Sequence, residues 1–275
     1  MSDFDDQLTR IAEALERLCP TPAPAIDWLG HPAYVWNLSG VRPVARIEAP
    51  QLDLLRGIDA QKALVVANVA RLAKGQAAHD MLLWGSRGMG KSALLRAAIA
   101  AEQAKSAQAL ALIQIAPDAL TSLPVLFTAL AGIKRNFLVY IDDLGFEEGD
   151  SSGPRALRSW LEGGVEARPA NVRLAVTANR RAIVARHLSE QDDPVNPRDV
   201  LDDKLALADR FGLSIGFHNC SQDDYLAIIT GYADAHGLKW DEHDALEWSK
   251  RRGARSGRVA WHYVTELAGR AGKPL

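Results

Sequence analysis

The chain has 275 residues, of which 48% are hydrophobic and 24% charged, a composition typical of globular proteins and too apolar for a disordered one. Its 32 Lys and Arg nearly balance 34 Asp and Glu, so any contact with nucleic acid would need a local basic patch. Two cysteines, Cys19 and Cys220, exclude a disulfide scaffold and a four-thiolate zinc site. The acidic first residues and the lack of an apolar run of about 18 residues predict a cytoplasmic protein without a membrane segment.

Residues 1–50 are predicted to form a helical extension and a linker. Near the N terminus, apolar side chains recur at alternating steps of four and three, which places them on one face of a helix. These side chains are Phe4, Leu8, Ile11, Leu15 and Leu18. Their face either packs on the chain's own domain or binds a partner. Pro20–Pro24 is a semi-rigid linker, and Trp28, Tyr34 and Trp36 indicate that the stretch 26–50 is packed.

From about residue 51, short apolar runs alternate with helical patterns, which predicts a parallel sheet with helices on both faces. The predicted strands are Met81–Trp84, Ala109–Ile115, Phe137–Ile141, Val172–Thr177 and Leu213–Phe217. One predicted helix, Ala60–Lys74, precedes these strands, and those between them are Lys91–Lys105, Pro117–Ala131 and Arg155–Leu161. Three more helices follow, at Gln222–His236, Glu242–Arg252 and Ser256–Ala271. We therefore expect an α/β domain at 51–217 and a small helical domain at 218–275.

The segment from Gly85 to Ser92 reads G-S-R-G-M-G-K-S and matches the phosphate-binding pattern G-x-x-x-x-G-K-[ST] at every fixed position. It lies between a predicted strand and a predicted helix, which disfavours a chance glycine-rich turn. Glycines let backbone N–H groups surround phosphate oxygens, Lys91 neutralises the β- and γ-phosphates, and Ser92 offers a hydroxyl to Mg²⁺. The residues expected to bind the nucleotide here are Gly85, Ser86, Arg87, Gly88, Met89, Gly90, Lys91, Ser92 and Ala93.

A pair of carboxylates, Asp142 and Asp143, follows the apolar run Phe137–Ile141. Ligands of open α/β sheets bind at the carboxyl ends of the strands. Asp142 is therefore predicted to hold Mg²⁺ through bound waters, and Asp143 to polarise an attacking water. The alternative is an Asp pair that only ends a strand. The chain lacks the Asn-Lys-x-Asp motif that reads guanine, which favours an adenine nucleotide, ATP.

Taken together, these residues resemble an AAA+ ATPase over about residues 51–275, and more narrowly an uncharacterised bacterial family of AAA+ proteins. The segments that carry the resemblance are Gly57–Lys62, Leu82–Ser92, Phe146–Asp150, Leu161–Pro169, Asp209–Leu213 and Arg255–Ala260. The resemblance implies a P-loop α/β domain with a small C-terminal helical lid. It also implies hydrolysis of ATP to ADP with Mg²⁺ and assembly into a homo-oligomer.

Further residue roles come only from this resemblance. Asn179 matches sensor 1, which contacts the γ-phosphate or the attacking water, and the alternative is an Asn that ends a strand in a turn. Arg210 matches the arginine finger that acts on the neighbouring subunit's site, and the alternative is a surface Arg paired with Asp209. Arg258 matches sensor 2 on the lid, and Ile58 matches the apolar contact of adenine.

One departure from the family concerns Asp143, since many AAA+ proteins carry Glu at this place. The shorter side chain reaches less far toward the water, and Glu147 or Glu148 could substitute for it. The acidic stretch Leu188–Lys204 is either a solvated loop or a surface for a partner.

Two functions of different classes follow. The first is an ATP hydrolase that remodels or assembles an unidentified protein partner. The second is a nucleotide-dependent switch, similar to helicase loaders, with little turnover. Association with nucleic acid through the basic residues Lys250–Arg252, Arg255 and Arg258 is a third and less favoured hypothesis.

Overall fold

The computed structural model describes residues 26–144, 168–179 and 210–275, together with Gln7, Thr9, Arg10 and Leu161. Apart from these isolated positions, the predicted N-terminal helix and the predicted helix Arg155–Leu161 lie outside the described residues. The predicted proline linker, Glu147, Glu148 and the acidic stretch Leu188–Lys204 lie outside them as well.

Seven strands form one sheet in the described part of the chain, in the order β2-β1-β4-β5-β6-β3-β7. They are β1 Ala33–Asn37, β2 Gly40–Val44, β3 Met81–Gly85, β4 Leu110–Ile115, β5 Asn136–Ile141, β6 Val172–Asn179 and β7 Leu213–Phe217. All neighbours are parallel except β1 and β2. The five predicted strands are therefore confirmed, and they lie next to one another in the sheet.

The strands form because runs of Leu, Ile, Val, Phe and Ala are buried on both faces of the sheet, as parallel sheets require. Alternate residues of a strand enter different cores. Phe137 and Val139 of β5 belong to one core, which also includes Tyr34 of β1. Leu138 and Tyr140 belong to the core on the other face of the sheet. Both faces are thus covered. The polar groups that follow the parallel strands lie together at the carboxyl ends of these strands.

Six helices surround the sheet in the described residues. They are α1 Asp59–Ala73, α2 Lys91–Lys105, α3 Leu123–Leu130, α4 Gln222–Ala235, α5 Glu242–Arg251 and α6 Gly257–Arg270. Their predicted bounds agree to within one residue, apart from Pro117–Ala131. That segment divides into a 3-10 helix, Pro117–Ser122, and α3. Pro124 lies in the first turn of α3, where its missing N–H and fixed φ favour a new helix start.

An N-terminal hairpin, β1 and β2, extends the sheet beyond β4. Tyr34 of β1 lies in register with Ile113 of β4. The hairpin belongs to the range 1–50 that the sequence assigned to a helical extension, so the sheet begins earlier in the chain than expected. Trp28 packs against Tyr34 and Phe137, at ring-centroid distances of 5.0 and 5.9 Å, so this stretch is packed as predicted.

The last three helices, α4 to α6, follow β7 along the chain. Helix α4 packs against α6, and both contribute to the same core as α1 and α2. In the described residues, no helix combines the length and apolarity needed to cross a membrane. Helix α6, part of the small helical domain predicted at 218–275, begins beside the loop that follows β3.

Candidate nucleotide-binding site

The phosphate-binding loop begins at the end of β3, the strand next to the edge strand β7, and enters α2. Its first residue, Gly85, has φ +122, and a Cβ there would lie 2.1 Å from the carbonyl oxygen of Phe217. Only glycine fits this approach. The next residue, Ser86, donates its N–H to the same carbonyl at 2.8 Å, and its hydroxyl donates to Asn219 at 2.6 Å. The loop is therefore fixed against the end of β7.

Lys91 lies at the start of α2 and is buried, with 7% exposure. Its Nζ donates two hydrogen bonds of 2.9 Å, to the carbonyl oxygens of Gly85 and Ser86. Burial lowers the pKa of Lys91, although the charges of Asp143 and Asp142 oppose that shift. The ammonium is thus held inside the loop by backbone carbonyl oxygens, as a buried charge requires.

Asp142 follows β5 and accepts three hydrogen bonds on one oxygen. Its Oδ1 accepts from Ser92 Oγ at 2.9 Å, from Tyr140 Oη at 2.5 Å and from Thr177 Oγ1 at 2.8 Å. Burial alone would raise the pKa of Asp142, but these hydrogen bonds bring the pKa below its ordinary value. The structure therefore brings an ionised Asp142 directly against the serine of the loop.

Asp143 adopts a left-handed backbone conformation, with φ +50. Its N–H donates to Thr177 Oγ1 at 2.8 Å, and its Oδ1 accepts a short hydrogen bond from Nδ2 of Asn179. The guanidinium of Arg87 lies 4.0 Å from its other oxygen, Oδ2. The predicted water-orienting carboxylate and the predicted sensor 1 amide are therefore in contact.

The lid meets the loop at the start of α6. The N–H of Arg258 donates to the carbonyl oxygen of Gly88 at 3.1 Å. A Cβ on Gly88 would lie 2.9 Å from Ser256 Oγ, so the two segments are in close contact. The charge of Arg258 adds to the effect of burial in lowering the pKa of Lys91. The predicted sensor 2 residue thus lies beside the loop, with its side chain exposed.

Ile58 lies immediately before α1 and is buried against the loop. A Cβ added to Gly90 would lie 3.6 Å from Ile58 Cδ1 and 3.9 Å from Leu55 Cδ2. These two side chains form an apolar wall at the start of α2. Ile58, the residue predicted to contact adenine, therefore lies beside the loop.

Mg²⁺ takes oxygen ligands, many of them from water and from substrate phosphates. In the part of the chain that the structure describes, no group of three or more His, Cys, Asp and Glu could hold a metal ion. The Ser92 hydroxyl donates its proton to Asp142, which leaves its lone pairs to a cation. The donor set therefore fits a cation that keeps most of its water.

The sequence matches one family model over residues 30–271, that of the family described as "Protein of unknown function (DUF815)". This chain is a DUF815 protein. No curated protein matches its sequence.

The fold of this DUF815 protein is that of AAA+ ATPases. A single-residue variant of Thermotoga maritima RuvB matches with a TM-score of 0.54 and 18% identity, over 81% of this chain and 66% of that one. The Holliday junction branch migration motor RuvB of the same organism gives 0.50 and 17%. The Aeropyrum pernix ORC1 protein in complex with DNA gives 0.55 and 13%, over 80% of this chain and 65% of that one. The DUF815 chain thus spans slightly less than two thirds of these proteins.

Arg210 of the DUF815 protein lies at the other end of the sheet from the loop. It precedes β7, whose first residue Leu213 pairs with Met81 and whose last residue Phe217 pairs with Gly85. Four residue steps along a strand span about 13 Å. The structure therefore does not bring Arg210 to the loop of its own chain.

Two buried hydroxyl residues in the site, Tyr140 and Thr177, were not predicted from the sequence. Each lies two residues before a predicted site residue, Asp142 and Asn179 respectively, and so on the same side of its strand. This period of two is the sequence signal that could have found them. That they meet on one carboxylate depends on β5 and β6 being neighbours.

Proposed function

We propose that this protein binds ATP with Mg²⁺ at the carboxyl ends of β3, β5 and β6 and hydrolyses it. The observation that carries the proposal is that the loop carbonyls hold a buried ammonium, Lys91, while the next residue, Ser92, donates its hydroxyl to an ionised carboxylate, Asp142. A glycine turn that merely ends a strand would need none of these groups.

Each of these groups has one task in the proposal. The backbone N–H groups of the loop and Lys91 bind the phosphates, and Ser92 and Asp142 would hold the cation. When bound, Mg²⁺ neutralises the charge that the phosphates carry and develop. Ile58 packs against the adenine, and Arg258 places a further positive charge beside the loop.

Water activation is assigned to Asp143. Its carboxylate is exposed enough to meet solvent, and the Asn179 amide holds one of its oxygens in place. A carboxylate fixed in this way can accept a proton from a water or orient it toward a phosphate. Asn179 serves the same step by holding Asp143.

A second candidate function is a binding switch with little turnover. The observation that favours it is that both oxygens of Asp143 already face polar groups, Asn179 and Arg87. A carboxylate engaged in this way has less freedom to bind and orient a water. Tight binding of ATP with negligible hydrolysis would select the switch.

The proposal includes a homo-oligomer. Arg210 lies at the far end of the sheet from its own loop, so its charge would serve the site of a neighbouring copy. ATP binding at that junction would drive rearrangement of an unidentified protein partner. The α/β part at 51–217 would carry the nucleotide and the helical part at 218–275 would act as the lid.

DNA binding is less well supported. The ORC1 relative is in complex with DNA and the RuvB relative is a Holliday junction motor. In this chain, however, Lys250 pairs with Glu247 at 2.7 Å, and the guanidinium of Arg252 lies 4.7 Å over the ring of Trp248. Part of the basic cluster is thus already engaged.

Phosphate release with ATP and Mg²⁺ tests the proposal. We expect turnover by the wild type, loss of turnover in Lys91→Ala, and wild-type turnover in Lys239→Ala, which removes an exposed lysine of the lid. Turnover that survives Lys91→Ala would refute the assignment of the site.

A further inference from the structure

Thr177 ties three successive residues of the acidic turn to β6. Its hydroxyl accepts the N–H of Asp143 at 2.8 Å and donates to Asp142 Oδ1 at 2.8 Å. Its carbonyl oxygen accepts the N–H of Leu144 at 2.9 Å. The side chain is buried, with 2% exposure. A single residue thus sets the positions of both carboxylates relative to each other.

The turn needs such an anchor because of its backbone. Asp143 has φ +50, a conformation that residues with a side chain adopt rarely and that persists when the surroundings over-determine it. The hydrogen bond from the Asp143 N–H to Thr177 is one of the contacts that fix it. Without the hydroxyl, this N–H would lose its acceptor next to the site.

Tyr140 provides a second anchor for Asp142. Its hydroxyl donates to Asp142 Oδ1 at 2.5 Å, and the ring is buried in the sheet core with 2% exposure. With Ser92 and Thr177, three hydroxyl groups donate to the same oxygen. That oxygen is therefore fully engaged, and Oδ2 is the oxygen of Asp142 available to the water shell of a cation.

We infer that Thr177 and Tyr140 are positioning residues for ATP hydrolysis. Thr177 fixes the geometry of the Asp142–Asp143 pair, and Tyr140 restricts Asp142 to one orientation toward the cation. The inference rests on the proposed function and adds to it two residues that touch neither the nucleotide nor the metal themselves. Hydrogen-bonded partners of metal ligands commonly affect metal affinity or activity by about 10–100-fold.

The test compares Thr177→Val, which keeps the shape and removes the hydroxyl, with Thr177→Ser, which restores the hydroxyl. Tyr140→Phe removes the second anchor. Thr128→Val is the control, because its hydroxyl donates to the Pro124 carbonyl within α3, outside the proposed site. For each variant, the melting temperature, the ATP affinity in EDTA, the ATP affinity in Mg²⁺, and kcat and KM are measured.

We expect Thr177→Val to bind ATP in EDTA like the wild type, to lose part of the gain in affinity that Mg²⁺ provides, and to lose about 10–100-fold in kcat. Thr177→Ser should recover most of both losses. Tyr140→Phe should lose part of the Mg²⁺-dependent gain while keeping its affinity in EDTA. The control should match the wild type throughout.

Two results would overturn the inference while leaving the proposed function intact. One is wild-type kcat and Mg²⁺ response in both Thr177→Val and Tyr140→Phe. The other is an equal loss in Thr177→Val and Thr177→Ser, which would assign the effect to packing and not to the hydroxyl. A wild-type protein without ATP turnover would remove the proposed function together with the inference.

Discussion

The N–H of Arg258 donates a 3.1 Å hydrogen bond to the carbonyl oxygen of Gly88, so the last helix begins on the phosphate-binding loop. The first N–H groups of a helix have no partner within it. Ser256 caps α6 by accepting the N–H of Val259, and the loop carbonyl accepts that of Arg258. Capping of α6 is thus shared with the phosphate-binding loop, which links the conformation of the loop to the position of this helix.

The contact between Gly88 and the lid predicts the effect of Gly88→Ala. Gly88 has φ +75, and the added methyl would lie 2.9 Å from Ser256 Oγ, so we expect the lid to separate from the loop and ATP affinity to fall at least tenfold. Gly132→Ala is the control, since Gly132 has φ +79 but no atom within 4 Å of the added Cβ. A left-handed Ala costs each variant about 1–2 kcal/mol of stability. Equal ATP titration curves for the two variants would contradict the proposed link.

The role of Asp143 predicts a separation of binding from turnover. Asp143→Asn keeps the size of the side chain and removes its basicity, so kcat should fall by about 10²–10⁴ while ATP affinity stays near that of the wild type. Asp234→Asn, at an exposed position in the last turn of α4, is the control. Single-turnover phosphate release measures the effect. Turnover that is unchanged in Asp143→Asn would contradict the assignment of water activation to Asp143.

The place of Arg210 predicts complementation between two inactive variants. Lys91→Ala lacks a working site but keeps its Arg210, and Arg210→Ala has the opposite defect. In a ring assembled at random from equal amounts, about a quarter of the junctions combine an intact site with an intact arginine, so that fraction of wild-type turnover should return. Mixing Arg210→Ala with the double variant is the control, because it offers no intact arginine. A mixture as inactive as this control would argue against action between subunits.

The site was predictable from the sequence where local pattern and chain position decide the structure. The glycines of the loop motif determine the backbone of the loop. The apolar runs at 81–84 and 137–141 are strands whose carboxyl ends lie where Ser92 and Asp142 meet. Parallel strands bring such ends together whatever lies between them in the chain. For this reason Lys91, Asp142 and Asp143 are gathered as expected.

The rest depended on neighbours that the sequence does not reveal. The hairpin was missed because it is short, carries Pro43 in its edge strand and pairs with β4, which follows about seventy residues later. Thr177 was overlooked because its partner lies on the adjacent strand. The contact of Arg258 with Gly88 depends on how the lid packs, which no local pattern specifies.

Arg135 lies in the loop before β5, at the opposite edge of the sheet from the nucleotide site, and is buried with 4% exposure. Its guanidinium donates to five carbonyl oxygens, those of Trp28, Leu29, His31, Ala107 and Leu110. It thereby joins the segment that leads into β1 to the start of β4. Burial lowers the pKa of Arg135, and five acceptors compensate for the loss of water around the charge.

Replacing the planar guanidinium of Arg135 should therefore destabilise the fold without affecting ATP binding by the folded protein. Arg135→Ala leaves several buried carbonyls without a donor, which should cost about 3 kcal/mol or more. Arg135→Lys keeps the charge but has one donor centre in place of a planar fork, so it should restore only part of the loss. Lys134→Ala, at the exposed neighbouring position, is the control. Urea unfolding measures the free energy of unfolding of each variant. An Arg135→Lys variant as stable as the wild type would show that the positive charge, and not the several N–H donors of the guanidinium, provides the stability.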